Sequence, residues 1–230
     1  MDTLTSAPIS DVLARLFDEA RAADGDLEAR FTELGDGRDN AIAELLAREA
    51  ADYKGLYHGF ADNFLSVSAE FGQFLYICAR ARQARRIVEF GTSFGISTIY
   101  LAAALRDGGG GELIGTELEP AKARRARENL GAAGLDDLVD IRVGDALETL
   151  REDVGDDIDL VLLDGAFSLY LPVLKLLEPH LNRGALVIGE NAVDESGEYL
   201  AYVRNPENGY RTIPLPFDRG RGNEMSVRTA

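Results

Sequence analysis

A single cysteine, Cys78, leaves this 230-residue chain unable to form an intrachain disulfide or a thiolate metal cluster. A reducing compartment is therefore expected. Positive charge is also scarce, with 24 Lys and Arg against 40 Asp and Glu and a formal charge of −16. A field of that sign repels phosphate backbones, so nucleic-acid binding by counterion release is not expected. The densest basic stretch, Arg80, Arg82, Arg85 and Arg86, reads as the decoration of a helix end ahead of an apolar strand. The N-terminus lacks a basic segment followed by an apolar run, and nowhere do eighteen apolar residues follow one another. A cytoplasmic protein that neither enters nor spans a membrane is the expectation. Internal repeats and low-complexity tracts are missing too. What is present is 46% apolar residues, enough for a folded core.

The chain opens with helical periodicity. Ser10 can cap a segment with Val12, Leu13, Leu16, Phe17 and Ala20 on one face, and Asp39 another with Ile42, Leu45 and Leu46. A third run from Ser68 places Phe71, Phe74, Leu75 and Cys78 on one face. The intervening YKGLYHGFADNFLSVS has no clear period and reads as a loop over a site. From Arg86 the pattern changes. Apolar runs RIVEF, ELIGTE, VDIRV, IDLVLLD and ALVIG alternate with helical stretches at 96–106, 120–133, 146–151 and 169–181. Such alternation predicts an α/β protein with a parallel sheet covered on both faces. YRTIPLPF and EMSVRT, separated by DRGRGN, predict an antiparallel C-terminal hairpin. The expected layout is an N-terminal helical extension over 1–66, packed on a core domain over 67–230.

Between the first strand and its helix stands E-x-G-x-x-x-G-x-S, from Glu89 through Gly91, Ser93 and Gly95 to Ser97. Glycines at that junction permit tight turning and close approach of a ligand to the backbone, as in nucleotide sites. Ser93 and Ile96 stand where a dinucleotide fingerprint needs glycine, which weighs against an oxidoreductase. Glu117 ends the second strand about 20 residues beyond Gly95, the place of an acidic ribose ligand. Its competing role is negative charge ahead of the helix opened by Pro120. After the third strand, Asp145 and Ala146 could read an adenine amino group, or Asp145 could simply cap a helix. Asp164 ends the fourth strand, and Glu190 with Asn191 the fifth. Two carboxylates and an amide oxygen suit a hard cation such as Mg²⁺. Alternatively Asp164 meets a cofactor ammonium, while Glu190 and Asn191 cap the next segment.

Taken in order, EFGTSFGIS, TELEP, GDA, LLDGA and GENA resemble the catechol and caffeoyl-coenzyme A type of class I S-adenosylmethionine-dependent O-methyltransferases, from about Ser66 to the C-terminus. The resemblance implies a Rossmann-like, seven-stranded, mostly parallel sheet and a homodimer, with the N-terminal helices as interface. It implies that Glu89, Gly91, Ser93, Gly95 and Ser97 hold the methionine end of S-adenosylmethionine and that Val67 contacts its carboxylate. Glu117 would take the ribose, and Asp145 with Ala146 would lie against adenine. Asp164, Glu190 and Asn191 would hold Mg²⁺ or another divalent cation, so that Asp164 serves cofactor, metal and catalysis together.

Two residues depart from the family pattern. Glu190 stands where aspartate is usual, and Phe167 where the catechol branch carries a lysine base. His58, in the covering segment, is the candidate replacement base because imidazole titrates near neutrality. Tyr53, Tyr57, Phe60, Phe64 and Phe167 could line an aromatic acceptor pocket. The expected reaction is methyl transfer to a hydroxyl of a small catechol-like or vicinal diol molecule. Its competitors are a tRNA hydroxyuridine O-methyltransferase and a non-catalytic nucleoside-binding module.

Overall fold

In the computed structural model, residues 2–33, 38–192, 197–217 and 222–230 are described. Five parallel strands, β1 (Arg86–Phe90), β2 (Glu112–Glu117), β3 (Val139–Val143), β4 (Ile158–Leu163) and β5 (Leu181–Gly189), follow the predicted apolar runs. With β6 (Tyr210–Pro214) and β7 (Glu224–Arg228) they form one sheet in the order β3-β2-β1-β4-β5-β7-β6. The last strand of the chain is not at the edge. β7 pairs antiparallel with β5 on one side and β6 on the other, which leaves β6 outermost. The turn residues 218–221 of that hairpin lie outside the described residues, and Leu215 N–H bonds the Asn223 carbonyl at 2.8 Å across it.

Strand β1 shows why both faces are covered. Side chains alternate across a strand, so Ile87 enters one apolar layer and Val88 and Phe90 the other. The first layer joins α1 (Ile9–Glu33), α3 (Ala69–Arg82), α4 (Ile96–Asp107) and α5 (Pro120–Ala133), with Leu16, Phe71, Leu75 and Leu101 fully buried. The second joins α7 (Tyr170–Leu177) and α8 (Glu198–Arg204) through Tyr170, Leu174, Tyr199 and Val203. No described helix is long and apolar enough to cross a membrane.

Several local expectations are corrected. Helix α1 begins at Ile9, so Ser10 lies inside it and caps nothing. The Asp39 side chain expected as a cap lies outside the described residues. Ser68 does cap α3, accepting the Phe71 N–H at 3.2 Å. The segment from Tyr53 to His58, read as loop, is the end of helix α2 (Arg38–His58), and irregular chain begins only at Gly59. Tyr53, Tyr57 and Lys54 each bond a carboxylate there, and side-chain bonds of that kind leave no trace in hydrophobic periodicity. The predicted helix 169–181 is shorter, because β5 already starts at Leu181. Helix α8 was not anticipated, and the four-residue α6 (Ala146–Thr149) ends before Arg151.

Candidate active site

Strand order reverses between β1 and β4, and the crevice beyond the C-terminal strand ends at such a switch point is where open α/β sheets bind ligands. A crevice of about 870 Å³, open solvent at its mouth included, occupies that position. Val67, Gly91, Ser93 and Ser97 line one side of it. Glu117, Asp145, Ala146 and Asp164 line it as well. Residues from five separate stretches of chain thus meet in one place.

The turn after β1 is shaped by two glycines. Gly91 has φ +99°, and a Cβ there would overlap the Asp164 carbonyl oxygen, so only glycine lets the ends of β1 and β4 approach this closely. Gly95, φ +92°, caps α4 away from the cavity lining. Ser93 also adopts a left-handed conformation, φ +47°, secured at both ends. Its hydroxyl donates to the Phe64 carbonyl at 2.7 Å and its N–H to Glu117 Oε2 at 2.7 Å.

Glu89 does not reach the cavity. It is fully buried beneath the turn, where Ser97 donates to Oε1 at 2.7 Å and Thr92 and Thr98 to Oε2 at 3.0 and 2.5 Å. Burial pushes its carboxyl up to about 6, against the pull of these three hydroxyls. Glu89 therefore pins the first turn of α4 to the end of β1.

Glu117 faces the cavity but is held from behind. Oε1 accepts the Glu119 N–H at 2.8 Å and Oε2 the Ser93 N–H. An ionised carboxylate has about four acceptor positions, so roughly one per oxygen is left for a pair of adjacent hydroxyls. Burial raises its pKa, opposed by the two backbone amides and by Lys122. Lys122, a buried cavity-lining cation whose own pKa burial lowers, was not singled out in the sequence. No short motif marks a lysine two residues into a helix.

Asp145 caps α6 through the Leu147 N–H at 3.0 Å, and also receives the Tyr53 hydroxyl and the Lys54 ammonium. Burial pushes its carboxyl up, but the bonds from Lys54, Tyr53 and Leu147 outweigh that and hold it below the usual aspartate value. Tyr53, Tyr57 and Phe64 line the same cavity, whereas Phe60 packs edge-on against Tyr57 and Phe167 lines a neighbouring cavity with Glu49 and Tyr199. His58 lies outside the lining, its side chain 78% exposed, with Nδ1 3.1 Å from Glu119 Oε1.

At the far end, β4 and β5 pair as far as Leu163 and Gly189; Asp164 and Glu190 are the next residue on each, and the Glu190 N–H continues the ladder to the Leu163 carbonyl at 2.9 Å. Asp164 is half-buried in the cavity wall; Glu190 is 2% exposed, behind it. Asn191 has φ +51° and donates its N–H to Asn223 Oδ1 at 2.8 Å. Both carboxylates act on Tyr170 and Tyr57: burial first and then this field hold the Tyr170 phenol well above its ordinary value, while for Tyr57 burial comes first, the Glu49 carboxylate next and this field last. Among the described residues, no group of three or more His, Cys, Asp or Glu is placed to hold a metal ion.

Residues not recognised in the sequence hold the cover in place. Asp24 of α1, buried, accepts the N–H groups of Phe64 and Leu65 at 2.9 and 2.8 Å and the Asn63 amide at 3.0 Å. Glu49, fully buried, takes the Tyr57 hydroxyl at 2.9 Å and the Ser168 N–H at 2.7 Å.

Known proteins share this arrangement. A family model described as a methyltransferase domain matches residues 88–192. The catechol O-methyltransferase of Mycobacterium tuberculosis is 36% identical over 172 residues, covering 75% of this chain and 74% of that protein. That of Niastella koreensis is 35% identical over 136 residues, 56% of this chain and 59% of its own. Among solved structures, the O-methyltransferase TomG of Streptomyces achromogenes, in complex with SAM, aligns with a TM-score of 0.65 at 27% identity, over 81% of this chain and 90% of that one. Cofactor-bound Rv0187 from MTB aligns with a TM-score of 0.67 at 28% identity, over 90% and 96%. With the strand order, the glycine turn and the acid closing β2 all in place, the chain belongs to the S-adenosylmethionine-dependent O-methyltransferases of the catechol and caffeoyl-coenzyme A type.

Proposed function

We propose that this enzyme methylates a hydroxyl of a small catechol-like or vicinal-diol acceptor, aided by a divalent cation at Asp164, Glu190 and Asn191. The observation that carries the reading is that Asp164 and Glu190 directly follow the paired ends of β4 and β5, the first lining the cavity and the second buried. These donors suit a hard cation by their chemistry: two carboxylates follow the ends of adjacent paired strands, one of them buried, and an amide side chain comes next in sequence. The acidic chain and the aromatic lining by Tyr53, Tyr57 and Phe64 favour a small aromatic acceptor over a polynucleotide. A cytoplasmic homodimer remains part of this reading.

S-adenosylmethionine, when bound, supplies an electrophilic methyl group on a sulfonium. A bound divalent cation lowers the pKa of an acceptor oxygen, and three units from a phenol near 10 correspond to about 4 kcal/mol. The chain's own residues provide alignment. Glu117 presents its remaining acceptor positions to the ribose hydroxyls, and Gly91 and Ser93 set the backbone against the methionine end, with Val67 opposite. Ser97, fixed by Glu89, and Gly95, at the N-cap of α4, hold that turn in shape. Asp145 and Ala146 face the purine. Asp164 stands where both the cofactor ammonium and the acceptor can be met. Tyr57, kept protonated by burial and then by Glu49, lines this end of the cavity.

Methyl transfer from labelled S-adenosylmethionine to catechol-type acceptors tests the reading, using protein stripped with chelator and then resupplied with Mg²⁺. Transfer should collapse on stripping and return with Mg²⁺. Full activity in chelator would overturn the metal, and absence of transfer to any catechol or vicinal diol would overturn the acceptor class.

A further inference from the structure

Helix α2 is two helical segments. Asp52 interrupts it with extended backbone angles, φ −157° and ψ 78°, and its Oδ1 accepts the Gly55 N–H at 2.9 Å. That is the geometry of an N-cap, so a new helical segment starts at Tyr53. The break re-aims two turns of chain over the ends of β2 and β3. Tyr53 Oη donates to Asp145 Oδ2 at 2.6 Å, Lys54 Nζ reaches the same oxygen at 2.8 Å, and His58 meets Glu119.

The acceptor positions of Asp145 can be counted. Oδ2 serves Tyr53 and Lys54, and Oδ1 serves the Leu147 N–H. Of about four positions on an ionised carboxylate, roughly one is left, and it is on Oδ1. Tyr53, Asp145 and Ala146 all line the cavity, Asp145 and Ala146 just beyond β3, two strands over from β1 and its turn. Two donors on one oxygen also stop the carboxylate from rotating, and the ammonium keeps it ionised and therefore acceptor-only.

We propose that Tyr53 and Lys54 are positioning residues of the cofactor site: by saturating Oδ2 of Asp145 they leave Oδ1 as a single oriented acceptor for the 6-amino group of the purine. The inference rests on reading the cavity as the S-adenosylmethionine site with Asp145 at the purine. A purine with an oxygen at that position would set acceptor against acceptor and be rejected. Selectivity for the base is then supplied by a helix that precedes the nucleotide-binding core in the chain.

Titration calorimetry with S-adenosylhomocysteine and its deaminated analogue S-inosylhomocysteine separates the possibilities. The wild type should prefer the adenosyl compound by about tenfold or more, one charge-assisted hydrogen bond's worth of discrimination. Tyr53→Phe and Lys54→Met should each narrow that ratio, the double variant should reduce it to about threefold or less, and Lys54→Arg should preserve it. The Lys54 side chain is 56% exposed, so Lys54→Met tests the idea without threatening the fold. If the double variant weakens both compounds equally and the ratio stays, or if the wild type shows no preference, the proposal is overturned while the cofactor site stands. Failure of the wild type to bind S-adenosylhomocysteine at all would instead overturn the site assignment, and this inference with it.

Discussion

The Glu117 carboxylate accepts the backbone N–H of Ser93 at 2.7 Å, tying the end of β2 to the turn after β1. One side chain thereby shapes that turn and, in the proposed reading, receives the ribose while the turn holds the methionine end. Glu117→Ala should weaken S-adenosylhomocysteine binding by about a hundredfold, since two hydrogen bonds to a charged group are worth roughly 3 kcal/mol together. Glu117→Gln, which keeps an acceptor for Ser93, should fall between. A calorimetric Kd for the alanine variant within threefold of the wild type would remove Glu117 from the cofactor site.

Glu89 carries a pH signature. Its folded-state pKa of about 6 lies above the free value of 4.5, because burial penalises the anion more than Ser97, Thr92 and Thr98 relieve it. The fold therefore binds this proton more tightly than the unfolded chain does. The associated stability is complete below about pH 4.5 and is lost as pH rises through about 6. Glu89→Gln abolishes the titration. Between pH 4.5 and 7 the wild type should lose on the order of 2 kcal/mol relative to the variant, read from paired denaturation curves. A difference that does not change with pH would show that Glu89 ionises equally in both states.

Asp24 anchors the cover from a distance in sequence. Asp24→Ala strands the N–H groups of Phe64 and Leu65, at a cost of roughly 2–3 kcal/mol, or about 5–10 °C in Tm for a chain of this size. Because the Phe64 carbonyl receives the Ser93 hydroxyl, KM for S-adenosylmethionine should rise as well. An unchanged KM in a destabilised variant would uncouple the cover from the cofactor turn.

His58 lies outside the cavity lining. Its imidazole is mostly exposed, and its pair with Glu119 is open to solvent screening. His58→Ala should leave kcat within about twofold of the wild type. A hundredfold fall in kcat, with its alkaline plateau shifted, would make His58 the base after all.

Much of the framework was legible in the residues because it follows from local periodicity. Strands β1, β2 and β4 announce themselves as largely apolar runs, since a strand covered on both faces has no solvent side, whereas β3, at the sheet edge, carries Asp140 and Arg142. Gly91 and Glu117 were legible for a related reason: the turn needs a residue without Cβ, and the acid sits at the end of the next strand, so chain spacing fixes both. The covering helix was misread from Tyr53 to His58. Its break at Asp52 is a cap hydrogen bond to Gly55, and its partners Asp145 and Glu119 lie 60 or more residues away along the chain. Asp24 and Lys122 were invisible for the same reason, since an acid on an amphipathic helix and a lysine in a charged helical turn look ordinary until burial assigns them partners.

The amino-acid order alone determined the alternation of strands and helices, the glycine turn and the acids at the strand ends, because backbone sterics and hydrophobic period act over a few residues. Only the tertiary structure decided that β7 inserts between β5 and β6, that Glu89 lies beneath the site, and that Tyr53 and Lys54 reach Asp145. Those outcomes depend on which distant groups must share a buried hydrogen bond, and the free energy of such a bond is settled by three-dimensional proximity, which no local pattern encodes.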